Sequence, residues 1–72
     1  MKKSFKLRDL ECANCAAKME DKIGRIPGVA STRVNFLTQK FTLEAPEDSF
    51  EQILDQAQAV MSSIEPDCRI LR

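Results

Sequence analysis

The spacing of apolar positions changes period along the chain, and each change marks a boundary. Lys3-Ser4-Phe5-Lys6-Leu7-Arg8 alternates polar and apolar residues, which predicts a half-buried strand with Phe5 and Leu7 turned inward. From Cys15 the period becomes helical: Ala16, Met19, Ile23 and Ile26 fall on one stripe, while Lys18, Glu20, Asp21, Lys22 and Arg25 take the other faces. Pro27-Gly28 ends this helix, with Gly28 free to take a left-handed turn. Arg33-Val34-Asn35-Phe36 and Lys40-Phe41-Thr42-Leu43-Glu44 alternate again and predict a hairpin around residues 37–39, although no Asn-Gly turn marks it. A loop over 45–48 leads to Ser49, which makes a capping box with Gln52. Phe50, Ile53, Leu54, Ala57, Val60, Met61 and Ile64 then form a second helical stripe that Pro66 ends. Residues 68–71 read as a short last strand, with Cys68 and Ile70 on one face.

The predicted order is β-α-β-β-α-β within a single domain, residues 1–72. Two right-handed crossovers place both helices on one face of a four-stranded antiparallel sheet, an α+β sandwich of ferredoxin-like arrangement. The other face should be polar, with Lys6, Arg33, Asn35, Thr42 and Arg69. So short a chain has a limited core, which a bound metal or another staple often supports.

Charge changes the picture in one respect. Net charge is zero, which argues against a general nucleic-acid binder. Yet residues 1–40 hold nine Lys/Arg and four Asp/Glu, whereas residues 41–72 hold two and seven. That asymmetry predicts either a dipolar surface that orients docking to a partner or an ordinary solvated one. No apolar run approaches the roughly 20 residues of a membrane span, and the basic Met1-Lys2-Lys3-Ser4 is followed by no secretory apolar stretch. The segment is expected to be soluble, cytoplasmic and not itself inserted in a membrane, whether alone or as part of a larger membrane protein. There its thiols would stay reduced.

The candidate chemistry is Cys12-Ala13-Asn14-Cys15, at the junction of the first strand and the first helix. Thiolates grip soft and borderline metals, and one pair fills half of a tetrahedral zinc shell. Such a site holds an ion without closing around it and can release one sulfur at a time to an incoming ligand. Cys12 falls on the loop. Cys15 falls in or beside the first helical turn, where free N–H groups and the helix dipole are expected to make it thiolate-rich. Glu11 adds an oxygen donor beside the pair. Mixed sulfur and oxygen suit Zn(II), Cd(II) and Pb(II), whereas Cu(I) gains little from a carboxylate. The competing reading of Glu11 is a solvated surface acid. Asp9 is a weaker candidate for the same role, and Leu10 points inward as an anchor. Met19 belongs to the helical core stripe. Cys68 is either a small buried hydrophobe or a third sulfur, because the start of the last strand lies near the metal-loop end. The chain has no histidine, which removes the common imidazole ligand and the usual general base, and it has no phosphate loop or paired catalytic acids.

Leu10-Glu11-Cys12-Ala13-Asn14-Cys15-Ala16-Ala17-Lys18-Met19-Glu20 resembles the motif of heavy-metal-associated domains. Pro27-Gly28-Val29, Val34-Asn35-Phe36 and Glu65-Pro66-Asp67 follow in keeping with that family. The chain is most similar to the N-terminal metal-binding domains of cadmium/zinc/lead-transporting P-type ATPases. Copper members usually carry Met and Thr or Ser where Leu10 and Glu11 stand, and the zinc/cadmium branch usually has Asp at the place of Glu11. Glycine is common where Asp9 stands, and an apolar residue where Cys68 stands. The resemblance implies Cys12 and Cys15 as metal ligands, Glu11 as the carboxylate ligand, and no catalysis in this domain. Its partners would be other domains of a metal-transporting ATPase or a metal donor or acceptor protein. The alternative is a Cu(I) metallochaperone or copper-ATPase domain.

Two further classes remain open on the sequence. Cys-x-x-Cys is also a thiol-disulfide oxidoreductase motif, although the chain is short for a thioredoxin-like domain. A structural zinc site needs four ligands, which a metal-bridged dimer would supply. Two apolar helices on a sheet are expected to fold without metal.

Overall fold

Alternation along the first segment buries Leu7 and leaves Lys6 and Arg8 outside, and in the computed structural model, which describes residues 1–71, this segment is β1 (Lys2–Arg8). There follow α1 (Ala13–Gly24), β2 (Ser31–Asn35), β3 (Lys40–Glu44), a short 3-10 turn (Glu47–Ser49), α2 (Phe50–Ile64) and β4 (Arg69–Leu71). The strands form one antiparallel sheet in the order β2-β3-β1-β4. Both helices pack against each other and against the sheet, α1 beside β2 and α2 beside β4. This is the expected ferredoxin-like sandwich.

The two stripes and the inward strand positions meet in one core. Phe41, Leu10, Met19, Ile23, Leu43, Met61 and Cys68 are its fully buried large side chains. Phe5 lies at its edge, stacked on Phe41 with ring centroids 6.2 Å apart and tilted against Phe50 at 6.3 Å. On the opposite face Lys6, Arg33, Asn35 and Arg69 are exposed and Thr42 is half-buried, as the alternation requires.

Several boundaries depart from the sequence reading. The α1 helix ends at Gly24, before Pro27, and Gly28 sits in the turn beyond with φ 98°. A side chain at Gly28 would also bring its Cβ to 3.0 Å from Ile53 Cδ1. The expected capping box at Ser49 does not form: its side chain makes no capping hydrogen bond. The preceding 3-10 turn replaces it, since the N–H groups of Ser49 and Phe50 donate to the carbonyls of Pro46 and Glu47. The hairpin turn takes its signal from Asn35, whose Oδ1 accepts the N–H groups of Leu37 and Thr38 at 2.9 and 3.1 Å.

Candidate metal centre

Leaving β1, the chain turns at Asp9, which has a left-handed φ of 59°. It then plunges inward at Leu10, which is buried as the sequence predicts. Both backbone groups of Leu10 are clamped by the Gln39 side chain. The Leu10 N–H donates to Gln39 Oε1 at 3.0 Å, and Gln39 Nε2 donates to the Leu10 carbonyl and to the Phe36 carbonyl. Gln39 itself sits at φ 54°, and its carbonyl accepts the Leu7 N–H at 2.7 Å. The hairpin turn therefore holds the loop two residues ahead of Cys12. Supports of this kind around a metal site are worth roughly 10–100-fold in affinity when they touch a ligand directly. Gln39→Ala, which acts through Leu10, should weaken Cd(II) binding by up to about tenfold in chelator-competition titrations. Unchanged affinity would show that the loop is held without the clamp.

Cys12 is the N-cap of α1, with φ −126° and ψ 118°, and its Sγ accepts the N–H of Cys15 at 3.3 Å. This is the work of a capping side chain, done here by sulfur in place of oxygen. The Cys12 thiol is pulled below its ordinary pKa, first by the hydrogen bond from the Cys15 thiol, then by the backbone N–H groups of Cys15 and Asn14. Cys15 goes the other way, up to about 12. Its proton is held by Cys12 first, then by loss of hydration and by a hydrogen bond to Glu65. The expectation of a thiolate-rich Cys15 is thus reversed. Free N–H groups at a helix start aim at the capping side chain, and that residue is Cys12. Cys15 stands inside the first turn, beside the Cys12 sulfur and the Glu65 carboxylate.

Glu65 was not singled out as a site residue from the sequence. Pro66 disfavours helical backbone in the residue before it, so Glu65 leaves α2 in an extended conformation, φ −131° and ψ 97°. There its carboxylate meets the cysteines: the Cys12 and Cys15 sulfurs and one Glu65 oxygen lie within 4.8 Å of one another. Two sulfurs at ~2.3 Å from a tetrahedral ion stand about 3.8 Å apart, so the group needs only a small contraction to take an ion. The topology contained the signal. Because β4 lies antiparallel to β1, the α2–β4 loop falls beside the β1–α1 loop. Cys68, three residues further on, is carried past this loop and into the core.

The other candidates stand apart from this group. Glu11 is exposed, one residue ahead of Cys12. Asp9 is exposed and lies 3.7 Å from the Arg8 guanidinium. Cys68 is fully buried in the core, and its thiol is pushed up first by that burial, then by Glu65 and Asp9.

Residues 4–65 match the family model of the heavy-metal-associated domain. A zinc/cadmium/lead-transporting P-type ATPase of Escherichia coli is 34% identical over 69% of this chain and 7% of its own length. The copper chaperone CopZ of Enterococcus hirae is 32% identical over 65% of this chain and 68% of its own. Among solved structures, the N-terminal domain of the copper(I) ATPase PacS in its apo form superposes with a TM-score of 0.74 at 26% identity, covering 100% of this chain and 94% of that one. The chain spans 7–10% of the length of the P-type ATPases it matches.

Proposed function

This chain belongs to the heavy-metal-associated domain family, a family of metal-binding modules, and from that membership we propose that its cargo is a borderline divalent ion, Zn(II), Cd(II) or Pb(II), held by Cys12, Cys15 and carboxylate oxygen. The observation that carries this reading is the Glu65 carboxylate gathered with the two sulfurs within 4.8 Å. A third, hard donor favours divalent ions over Cu(I), which is content with two thiolates. Glu11, exposed beside Cys12, is the proposed second oxygen. As a solvated loop ligand it would leave first when the ion is handed on. The domain would then pass its ion by ligand exchange, either as the N-terminal part of a cytoplasm-facing P-type ATPase or as a free carrier exchanging with one. Among the described residues no helix is long and apolar enough to cross a membrane.

The two carboxylates make the test. Glu65→Gln should lower Zn(II) and Cd(II) affinity about tenfold, the scale of a weakened metal contact, while Cu(I) affinity holds. Glu11→Gln should produce a smaller loss of the same kind. Calorimetric titration with Cu(I) competition measures both, and equal divalent affinity in wild type and both variants would sink the mixed-donor reading. The second reading, a Cu(I) carrier, has specific support in the copper chaperone relative, 68% of whose length the match covers. It predicts that Cu(I) binds through Cys12 and Cys15 alone and displaces Zn(II) from the wild type even with both carboxylates present.

A further inference from the structure

The sheet face turned away from the helices carries five of the nine basic residues found in positions 1–40: Lys2, Lys6, Arg8, Arg33 and Lys40. Directly paired residues point to the same side, so the register defines the face. Lys2 lies opposite Glu44, Ser4 opposite Thr42 and then Arg33, Lys6 opposite Lys40 and Leu71, and Arg8 opposite Arg69. Two of these cations are engaged at the edge. Arg69 donates to Ser62 Oγ and the Pro66 carbonyl, and Arg8 leans on Asp9. Lys2, Lys6, Arg33 and Lys40 remain exposed, and among the described residues none of the four is in an ion pair. Lys6 directly opposite Lys40 is a like-charge cross-strand pair, which costs stability unless an anion lies over it.

Apolar side chains accompany these charges. Leu37 is 87% exposed at the tip of the β2–β3 turn, and Leu71 is 48% exposed on this face beside Lys6. Glu44 is the one strand acid on this face, opposite Lys2 and accepting from the Ser31 hydroxyl, whereas Glu47, Asp48 and Glu51 lie in the other layer, on the 3-10 turn and the start of α2. We propose that this face docks on an anionic phospholipid surface, with Lys2, Lys6, Arg33 and Lys40 against headgroup phosphates and Leu37 and Leu71 reaching below them. Cations interspersed with single large apolar side chains are the chemistry of an interfacial surface. A face for single-stranded nucleic acid would instead offer aromatic rings for stacking. Phe5, Phe36, Phe41 and Phe50 all pack in or against the core. Docked this way, the acidic layer points away from the membrane and the Cys12 loop stays open at the end of the sheet. The inference does not depend on which metal is carried.

Co-sedimentation of the reduced, metal-free chain with vesicles tests it. Wild type should bind phosphatidylcholine vesicles containing phosphatidylglycerol, fail to bind pure phosphatidylcholine, and be released by high salt. Each Lys or Arg near such a surface matters enough that Lys6→Glu with Arg33→Glu should lower the partition coefficient at least about tenfold. Lys18→Glu with Lys22→Glu makes the same change in net charge on α1 and should leave partitioning within about twofold, because those charges face away from the surface. Circular dichroism confirms that both pairs fold. Absence of wild-type binding to the anionic vesicles overturns the proposal, as does an equal loss in the α1 pair. Tighter binding to duplex DNA than to vesicles at the same salt would assign the face to a different partner and overturn it as well.

Discussion

Replacing Cys12 and Cys15 together by serine is expected to lower Cd(II) or Zn(II) affinity on the order of 10^4-fold while the fold persists. A closed four-ligand zinc site is worth roughly 10–16 kcal/mol, about 3 kcal/mol per ligand, so two lost thiolates cost about 6 kcal/mol. The single variants should not be equal in kind. Cys12 is the capping atom and already inclines to the thiolate form, so Cys12→Ser removes the ligand that meets the ion first. Serine caps helices well, so stability should stay within ~1 kcal/mol of wild type. Cys15→Ser removes a ligand that must give up its proton before it binds, and it leaves Glu65 without the thiol that it now accepts from. Chelator competition and loss of the Cd(II)–thiolate absorption band follow the binding, and urea unfolding follows the fold. If the double variant kept near-wild-type affinity, the ion would have to sit elsewhere. Cys68 is the remaining thiol, and it is sealed in the core.

How much of this was legible in the sequence depends on what each feature rests on. Strands and helices were legible because burial imposes a period, and Leu7, Val34, Phe41 and Leu43 on the strands and Met19, Ile23, Ile53 and Met61 on the helices obey it. The sheet followed from element order and handed crossovers. The metal loop was legible because the two thiols stand at a strand-to-helix junction within a run, residues 10–20, that resembles the family's motif. What escaped the reading depends on atoms from distant segments meeting. Ser49 carries the residue pattern of a cap, but the backbone of a 3-10 turn took the bonds first. Gln39 reads as an ordinary turn residue, and its role appears only when the turn is seen clasping Leu10. Glu65 reads as a helix-end acid, and only the pairing of β4 with β1 brings it to the cysteines. The protonation order failed for a related reason. The helix start favours an anion in general, and the geometry decides that Cys12 receives that benefit.

That protonation order has a large consequence for binding as pH changes. A metal ion needs both sulfurs as thiolates, so it competes with whatever protons they hold. Cys15, raised to about 12, holds a full proton throughout the range in which the protein would be studied. Each ion bound must expel that proton. Cys12, lowered from its ordinary value, contributes a second released proton below its own pKa and progressively less above it. Affinity therefore rises with pH, by between one and two powers of ten per unit, approaching two on the acid side and one on the alkaline side. Between pH 6 and 8 the gain should be roughly 10^2-fold or more. Cd(II) or Zn(II) affinities across that range, or proton release measured by calorimetry in buffers of different ionisation enthalpy, give the slope directly. Cys15→Ser should lower the slope by removing that proton, and Cys12→Ser, which takes away the first of the groups that hold it, should let it leave at a lower pH than in the wild type. A wild-type slope below one would mean that Cys15 is already ionised before the metal arrives, and that the Cys12 cap and the Glu65 carboxylate do not hold its proton as this geometry requires.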